Sequence, residues 1–243
     1  MRSNERSHRA STRVAREIVS EIRDQALRPG AKLAPERLLI ERHRVSRATV
    51  REALRYLELQ GALRMKSGPK GGPVVHEPSV GHLASALSLQ LQFAQATFRS
   101  VLDARRSIYP VVVAEAAQHA TADDIAALRA SLVRLRAAAS DSAATAREAR
   151  GFYELVAAAS KNVVLGFLVN ALHQLSENSG IEYDLEQRAA SARQTERILR
   201  AIEAGDAETA SAISKRMLAA ALRYWEKTAP EQLNARVAWI DVS

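Results

Sequence analysis

Apolar residues recur at helical spacing along most of the 243-residue chain, and the first clear stripe lies close to its start. Between Thr12 and Leu27, the residues Val14, Ile18, Ile22 and Leu27 fall near one side, while Arg13, Arg16, Glu17, Glu21 and Arg23 lie outside it. This spacing predicts an amphipathic helix that Pro29 and Gly30 bring to an end. A second, short helix is expected to open at Pro35, with Glu36 matching the positive helix end and Leu38, Leu39 and Ile40 supplying the apolar face. Arg42-His43-Arg44 interrupts the pattern, and Ser46 reads as the N-cap of a third helix. That helix runs from Arg47 to Gln60. Val50, Ala53, Leu54 and Leu57 face inward, whereas Arg47, Arg51 and Arg55 recur every four residues on another face. Gly61 is its expected C′ residue. Leu63 to Lys66 and Pro73 to Val75 then predict two short strands around Ser67-Gly68-Pro69-Lys70-Gly71-Gly72, with Pro73 limiting the regularity of the second.

Beyond Glu77-Pro78-Ser79, read as a hinge, the texture becomes rich in Ala and Leu, and helix-period segments follow one another at 79–95, 97–118, 122–139, 143–158, 162–177, 182–204 and 206–227. Short polar breaks separate them, among them Thr121-Ala122-Asp123-Asp124, Ser140-Asp141, Lys161-Asn162 and Gly205-Asp206. The expected fold is mainly α: three helices and a small hairpin, which is a winged helix-turn-helix outline, followed by an antiparallel bundle of six or seven helices. The domains are placed at 1–77 and 78–230, with a tail at 231–243. In that tail Val237, Trp239 and Ile240 are apolar enough to dock on the bundle or on a second subunit.

Charge sharpens this division. Through Glu77 there are 17 Lys and Arg against 9 Asp and Glu, and from Pro78 onward there are 18 of each, so the whole net charge of +8 lies on the first third. A basic unit attached to a neutral body points to a polyanion, most simply nucleic acid, although a solvated basic face gives the same arithmetic. The chain has no Cys, which excludes disulfides, thiolate zinc sites and cysteine nucleophiles. The basic, polar start has no apolar stretch behind it, and no run of 18 or more apolar residues occurs, so a cytoplasmic protein without a membrane span is expected. An enzyme built on a helical bundle is the second class to weigh. Against it, the sequence has no nucleophile–base spacing, metal-ligand cluster, phosphate loop or dinucleotide fingerprint.

The winged-helix outline gives several residues a candidate role. Arg47 and Arg51 lie on the first turns of the recognition helix, where Arg suits bidentate contact with guanine. Ser46 and Thr49 are expected to donate to phosphate beside the helix N-terminus, and Arg37 to reach the backbone or a base edge. Lys66, Ser67, Gly68 and Lys70 form the wing. The competing reading for each Arg is a solvated helix face paired to Glu41, Glu52 or Glu58.

The stretch from Leu33 to Gly68, LAPERLLIERHRVSRATVREALRYLELQGALRMKSG, resembles the signature of the GntR family of bacterial transcriptional regulators. Val45 to Leu54, VSRATVREAL, matches it without exception. Ala34-Pro35 stands where Pro-Ser is usual, and Arg44 replaces a turn glycine that readily takes φ > 0. The helical remainder resembles the FadR-type effector domain, called FCD, through Asp103-Ala104-Arg105 with Tyr109, Phe152-Tyr153 with Ala159-Ser160-Lys161-Asn162, and Ile198-Leu199 with Gly205-Asp206. The resemblance implies a homodimeric, ligand-responsive regulator, usually a repressor, that binds a palindromic DNA operator.

Many members of that group hold a divalent metal through one Asp and three His. The matching positions here are Ala149, Tyr153, Thr195 and Met217, which lack the usual ligand chemistry. Of the six histidines only His82, His119 and His173 fall in the helical part. His173 has an acid at i+4, Glu177, and that pair reads as a surface feature. No metal or other cofactor is expected. Arg105, one turn before Tyr109, would instead receive a carboxylate directly, with Tyr153 and Thr195 as hydroxyl donors and Met217 against an apolar part. A hydrophobic carboxylate or acyl-type effector fits these groups better than a small dicarboxylate. The open alternative is a ligand-independent DNA-binding protein whose degenerate bundle serves only dimerisation. Asn162 and Asp206 are expected to be local caps.

Overall fold

A computed structural model describes residues 2–68, 71–177, 179–180 and 183–241, with side chains from Arg9 onward. The chain splits into two compact units, Met1–His82 and Leu83–Ser243.

The first unit contains α1 (Arg2–Asp24), α2 (Glu36–His43), α3 (Arg47–Leu59), β1 (Leu63–Lys66) and β2 (Gly72–Val75). Val14, Ile18, Leu39, Val50, Ala53, Leu54, Leu57, Leu63 and Val75 close into one core. The expected apolar stripes therefore meet. The ends of α1 differ from expectation. The helix begins ten residues before Thr12, because helix-forming Arg, Glu and Ala continue it where no apolar stripe exists to be read. It stops short of Leu27 because Ala26 turns left-handed (φ 50°), with Ala26 N–H donating to the Arg23 carbonyl and Leu27 N–H to that of Ile22. That is a Schellman cap, formed before Pro29 is reached.

Arg44 takes up the left-handed geometry itself, at φ 52° and ψ 45°, and so makes the turn between α2 and α3 without glycine. The end of α3 uses Gly61 at φ 72°, with Ala62 N–H on the Leu57 carbonyl and Gly61 N–H on that of Glu58. A side chain at Gly61 would meet the His82 ring at 2.3 Å and displace it, and the positive φ itself favours glycine there. The hairpin pairs Leu63 with Val75 through to Lys66 with Gly72 in antiparallel register. Contrary to expectation, β2 stays regular through Pro73, whose carbonyl accepts from Leu33 N–H on the far side while Lys32 bridges Val74.

The second unit is helical. It comprises α4 (Val80–Phe93, which begins within the first unit), α5 (Phe98–His119), α6 (Ala122–Ala137), α7 (Ser142–Ala159), α8 (Val163–Glu177), α9 (Leu185–Glu203), α10 (Ala207–Thr228) and the short α11 (Pro230–Asn234). α5 packs against α7, α8, α9 and α10, while α6 lies on α7 and α9. Tyr109, Val112, Val113, Leu128, Phe152, Val156, Ile198, Ile202 and Ile213 lie in its main core. The polar breaks act as caps: Asp141, Asp184 and Asp206 accept from backbone N–H groups of the helices they precede, and Asn162 Oδ1 accepts from Leu165 N–H. The last residues return to α4. Val237 N–H donates to the Ala96 carbonyl, Trp239 N–H to Gln92, Trp239 Nε1–H to Ser85 Oγ, and Ile240 N–H to Ser88 Oγ. Among the described residues, no helix is long and apolar enough to cross a membrane.

α6 opens with a reciprocal capping box between Thr121 and Asp124, and Lys161 Nζ lies 2.5 Å from the same carboxylate. The Lys161 hydrogen bond first, and then the Thr121 N–H, hold the Asp124 carboxyl down at about 2. Its folded value lies below the unfolded one, so its contribution is present above the ordinary carboxylate range and is lost as pH falls toward about 2. Asp124→Asn is expected to cost about 1 kcal/mol near neutrality and to flatten the acid limb of stability. Urea unfolding at a series of pH values measures both effects.

Candidate DNA-binding face and a buried cation site

Ser46 caps α3, its Oγ accepting from Thr49 N–H at 3.2 Å. Thr49 itself is buried, and its hydroxyl lies 2.8 Å from that of Ser46. The hydroxyl expected to reach phosphate is thus occupied within the cap and turned from solvent, because Thr49 falls beside Val50 and Ala53 on the inward part of the helix. The arginines behave differently. The Arg47 and Arg51 side chains are 75% and 69% exposed, and both reach Glu36 at the start of α2, at 2.8 and 3.9 Å. Their shared partner is thus an acid that the sequence alone assigns only to a helix end.

Arg37 pairs with Glu41 on α2 at 3.8 Å, its side chain 83% exposed. Glu58 is engaged elsewhere. Its Oε1 accepts from Met65 N–H at 3.0 Å, tying the first strand of the hairpin to α3. Lys66, Ser67 and Gly68 are exposed at the end of β1, with Gly68 at φ 104°. Lys70 lies outside the described residues.

In the second unit, α5 and α7 bring Arg105, Tyr109 and Tyr153 together. Arg105 is only 4% exposed and Tyr109 is fully buried. The guanidinium carbon of Arg105 lies 5.6 Å from the centre of the Tyr153 ring, a cation–π arrangement, and Tyr109 meets that ring edge-on at 5.0 Å. α8 adds a residue not expected in the site. The His173 ring sits 4.5 Å from that of Tyr153, and its Nε2 lies 3.5 Å from Glu177 Oε1. Glu177 Oε2 in turn takes Arg150 at 2.7 Å. The expectation that His173 and Glu177 form a surface pair is corrected: the His is buried. The i,i+4 spacing is visible in the sequence, but its direction depends on how α8 rolls against α5.

Thr195 and Met217 are both buried, and Met217 shares the main core with Tyr109 and Tyr153. Thr195 Oγ1 donates to the Ser191 carbonyl one turn back on its own helix. Burial pushes the Tyr109 and Tyr153 phenols up, with the Arg105 charge acting in the opposite direction on both. Burial first, then the charges of Arg105 and Arg150, hold the His173 ring well below the usual histidine range. Glu177 is raised by burial despite Arg150. The cluster is therefore a neutral imidazole and two phenols facing an arginine charge.

The positions at which related regulators place metal ligands do not fit a metal here. Ala149 offers no donor, the phenol of Tyr153 resists ionisation, the Thr195 hydroxyl is tied to Ser191, and Met217 presents a thioether within an apolar core. Among the described residues, no group of three or more His, Asp or Glu is placed to hold a metal ion.

A winged helix-turn-helix with outward arginines, followed by a helical bundle with a charged interior, defines a DNA-binding transcription regulator. Comparison with known proteins agrees. The profile of the bacterial regulatory proteins of the gntR family matches residues 10–70, and that of the FCD domain matches residues 100–220. The chain belongs to the GntR family and carries an FCD domain. It is 29% identical over 154 residues to the HTH-type transcriptional regulator LutR of Bacillus subtilis, a match spanning 63% of this chain and 69% of that protein. It is 30% identical over 162 residues to the HTH-type transcriptional regulator Rv0494 of Mycobacterium tuberculosis, spanning 66% and 65%. The structure of Streptococcus agalactiae GntR shares the fold, with a TM-score of 0.72 at 20% identity over 88% of this chain and 99% of that one.

Exposed ion pairs contribute about 0–1 kcal/mol, so Glu36 holds Arg47 and Arg51 only loosely. Glu36→Gln is expected to lower stability by no more than about 1 kcal/mol, part of it from the lost acid at the start of α2. Denaturant titration of the variant against the parent protein tests this.

Proposed function

We propose that the chain is a repressor that binds a palindromic operator as a homodimer and leaves it when a hydrophobic carboxylate or acyl-type effector enters the FCD domain. In this reading residues 1–77 read DNA, residues 78–230 bind effector and dimerise, and residues 231–243 form a tail. Arg47 and Arg51 enter the major groove, Ser46, Arg37 and the N-terminus of α3 meet the backbone, and Lys66, Gly68 and Lys70 lie along the adjacent groove. Thr49 serves by fixing the cap. The protein is cytoplasmic, works without metal and catalyses no reaction.

The observation that carries the DNA half is the pair of outward guanidiniums on the first turns of a capped helix, held by one surface carboxylate. Phosphate and base contacts outcompete such a pair, since the whole net charge lies on the same third of the chain. Arg47→Ala or Arg51→Ala is expected to weaken binding to a selected operator by about 1–3 kcal/mol. Glu36→Gln is expected to tighten it. Fluorescence anisotropy at several salt concentrations tests both, and an operator affinity indifferent to Arg47 and Arg51 would refute the assignment.

The effector half rests on Arg105, a buried cation whose Nε has no hydrogen-bond partner among the described residues. Hydrophobic monocarboxylates are expected to raise the melting temperature of the parent protein and to release it from operator DNA, and Arg105→Gln to abolish both effects. A second reading, a ligand-independent regulator, is favoured by the Tyr153 ring packing directly against Arg105, Tyr109 and His173. It predicts that no acid shifts the melting temperature.

A further inference from the structure

Several polar atoms around Tyr153 share a deficit. Arg105 Nε, the Tyr109 hydroxyl, both ring nitrogens of His173 and Glu177 Oε1 are buried without a hydrogen-bond partner among the described residues. They are not scattered. Arg105, Tyr109 and His173 all contact one ring, that of Tyr153, and His173 Nε2 faces Glu177 Oε1 at 3.5 Å. Burying such atoms unpaired is costly, and native proteins rarely leave five in one place.

The deficit has a definite composition. Arg105 Nε–H and Tyr109 O–H are donors without acceptors, and Glu177 Oε1 is an acceptor without a donor. A neutral imidazole brings one donor and one acceptor. Counted as donors and acceptors, one carboxylate together with one proton matches all five atoms. The carboxylate oxygens accept from Arg105, Tyr109 and one ring N–H of His173, while the added proton lets the other ring nitrogen donate to Glu177 Oε1. A carboxylate alone leaves a ring nitrogen lone pair either toward the anion or toward Glu177. A proton alone sets a second cation beside Arg105.

We propose that Arg105 and His173 form a two-point clamp for a carboxylate, and that the clamp takes up its ligand together with one proton. This rests on the acid-effector reading above and makes His173 the residue that tells an acid from its neutral isostere. The charged and titratable groups facing His173 come from each neighbouring element: Arg105 and Tyr109 from α5, Arg150 and Tyr153 from α7, and Glu177 from its own helix α8. Glu154 of α7 and Tyr183, between α8 and α9, act at one remove through Glu177 and Tyr153. Burial and the two arginines keep the ring neutral in the free protein. A bound anion cancels the Arg105 charge and offers an acceptor, which raises the affinity of the ring for its proton. Between the free and the bound value, binding consumes a proton, and affinity falls as pH rises, by up to about tenfold per pH unit.

The test is calorimetric titration of benzoate into the full chain, at about pH 6 and about pH 8, in two buffers of different ionisation enthalpy. Benzamide serves as the uncharged isostere. The expected result is close to one proton absorbed per benzoate, tighter binding at the lower pH, and no binding of benzamide. His173→Gln and His173→Asn keep an uncharged hydrogen-bonding side chain; each is expected to bind benzoate more weakly, with no proton uptake and a flat pH profile. Far-UV circular dichroism checks that both remain folded. Benzoate binding that needs Arg105 yet absorbs no proton in the parent protein overturns the clamp and leaves the acid-effector reading standing. The same follows if uptake persists unchanged in both His173 variants. Absence of binding by benzoate and by octanoate at both pH values, or binding indifferent to Arg105→Gln, overturns the two together.

Discussion

A guanidinium withdrawn from water must find negative charge or a substitute for it, because the penalty for an isolated buried ion is several kcal/mol. Arg105 meets that requirement only in part. It is 4% exposed, its Nε has no described partner, and its compensation comes from Tyr153, through the ring face and a hydrogen bond to the phenol oxygen. A ring quadrupole returns about 2 kcal/mol when desolvated, less than a carboxylate would. The elements around α5 follow from that constraint. α7 supplies the ring, α8 supplies an imidazole that remains neutral so close to a cation, and the nearby carboxylate of Glu177 is engaged by Arg150 rather than by Arg105. The bundle thus keeps a cation in its interior, beside an imidazole and two phenols.

The DNA-facing unit solves the opposite problem, keeping cations outside and unburied. Its α3 is fixed at both ends by local devices, the Ser46 cap and the left-handed Gly61, so its orientation does not depend on the arginines it carries. The hairpin is joined to the same helix through Glu58 and Met65. Arg47 and Arg51 are consequently free of structural duty except for a loose tether to Glu36. Arg44 contributes by standing in a left-handed turn, at a strain of about 1 kcal/mol that a glycine would not carry, and in exchange adds a further cation beside the reading helix.

Periodicity makes the helices legible, and cap chemistry makes their ends legible where the capping residue is of the usual type. Ser46, Asp141, Asp206 and Gly61 are readable because the side chain, or its absence, is itself the device. Ala26 is not, since a left-handed alanine carries no compositional mark, and the start of α1 is not, since a charged helix has no apolar stripe. In the candidate sites, residues whose role depends on their own helix can be placed from sequence, whereas those set by a neighbouring helix cannot. Thr49 turns inward because it flanks Val50, and Glu36 becomes the partner of two arginines because α2 crosses near the start of α3. His173 shows the limit most plainly. Its spacing from Glu177 fits a solvent-exposed pair as well as an interior one, and only the packing of α8 on α5 and α7 decides between them.

The hydrogen bonds that the final residues make to α4 carry a practical consequence. Ser85, Ser88 and Gln92 present side-chain oxygens to backbone and indole N–H groups of Trp239 and Ile240, residues about 150 positions later in the chain. Shortening the protein after Asn234 would strip those oxygens of their donors and uncover Ser88, which is fully buried. Helix α4 and the segment carrying Trp239 and Ile240 therefore stand or fall as one element.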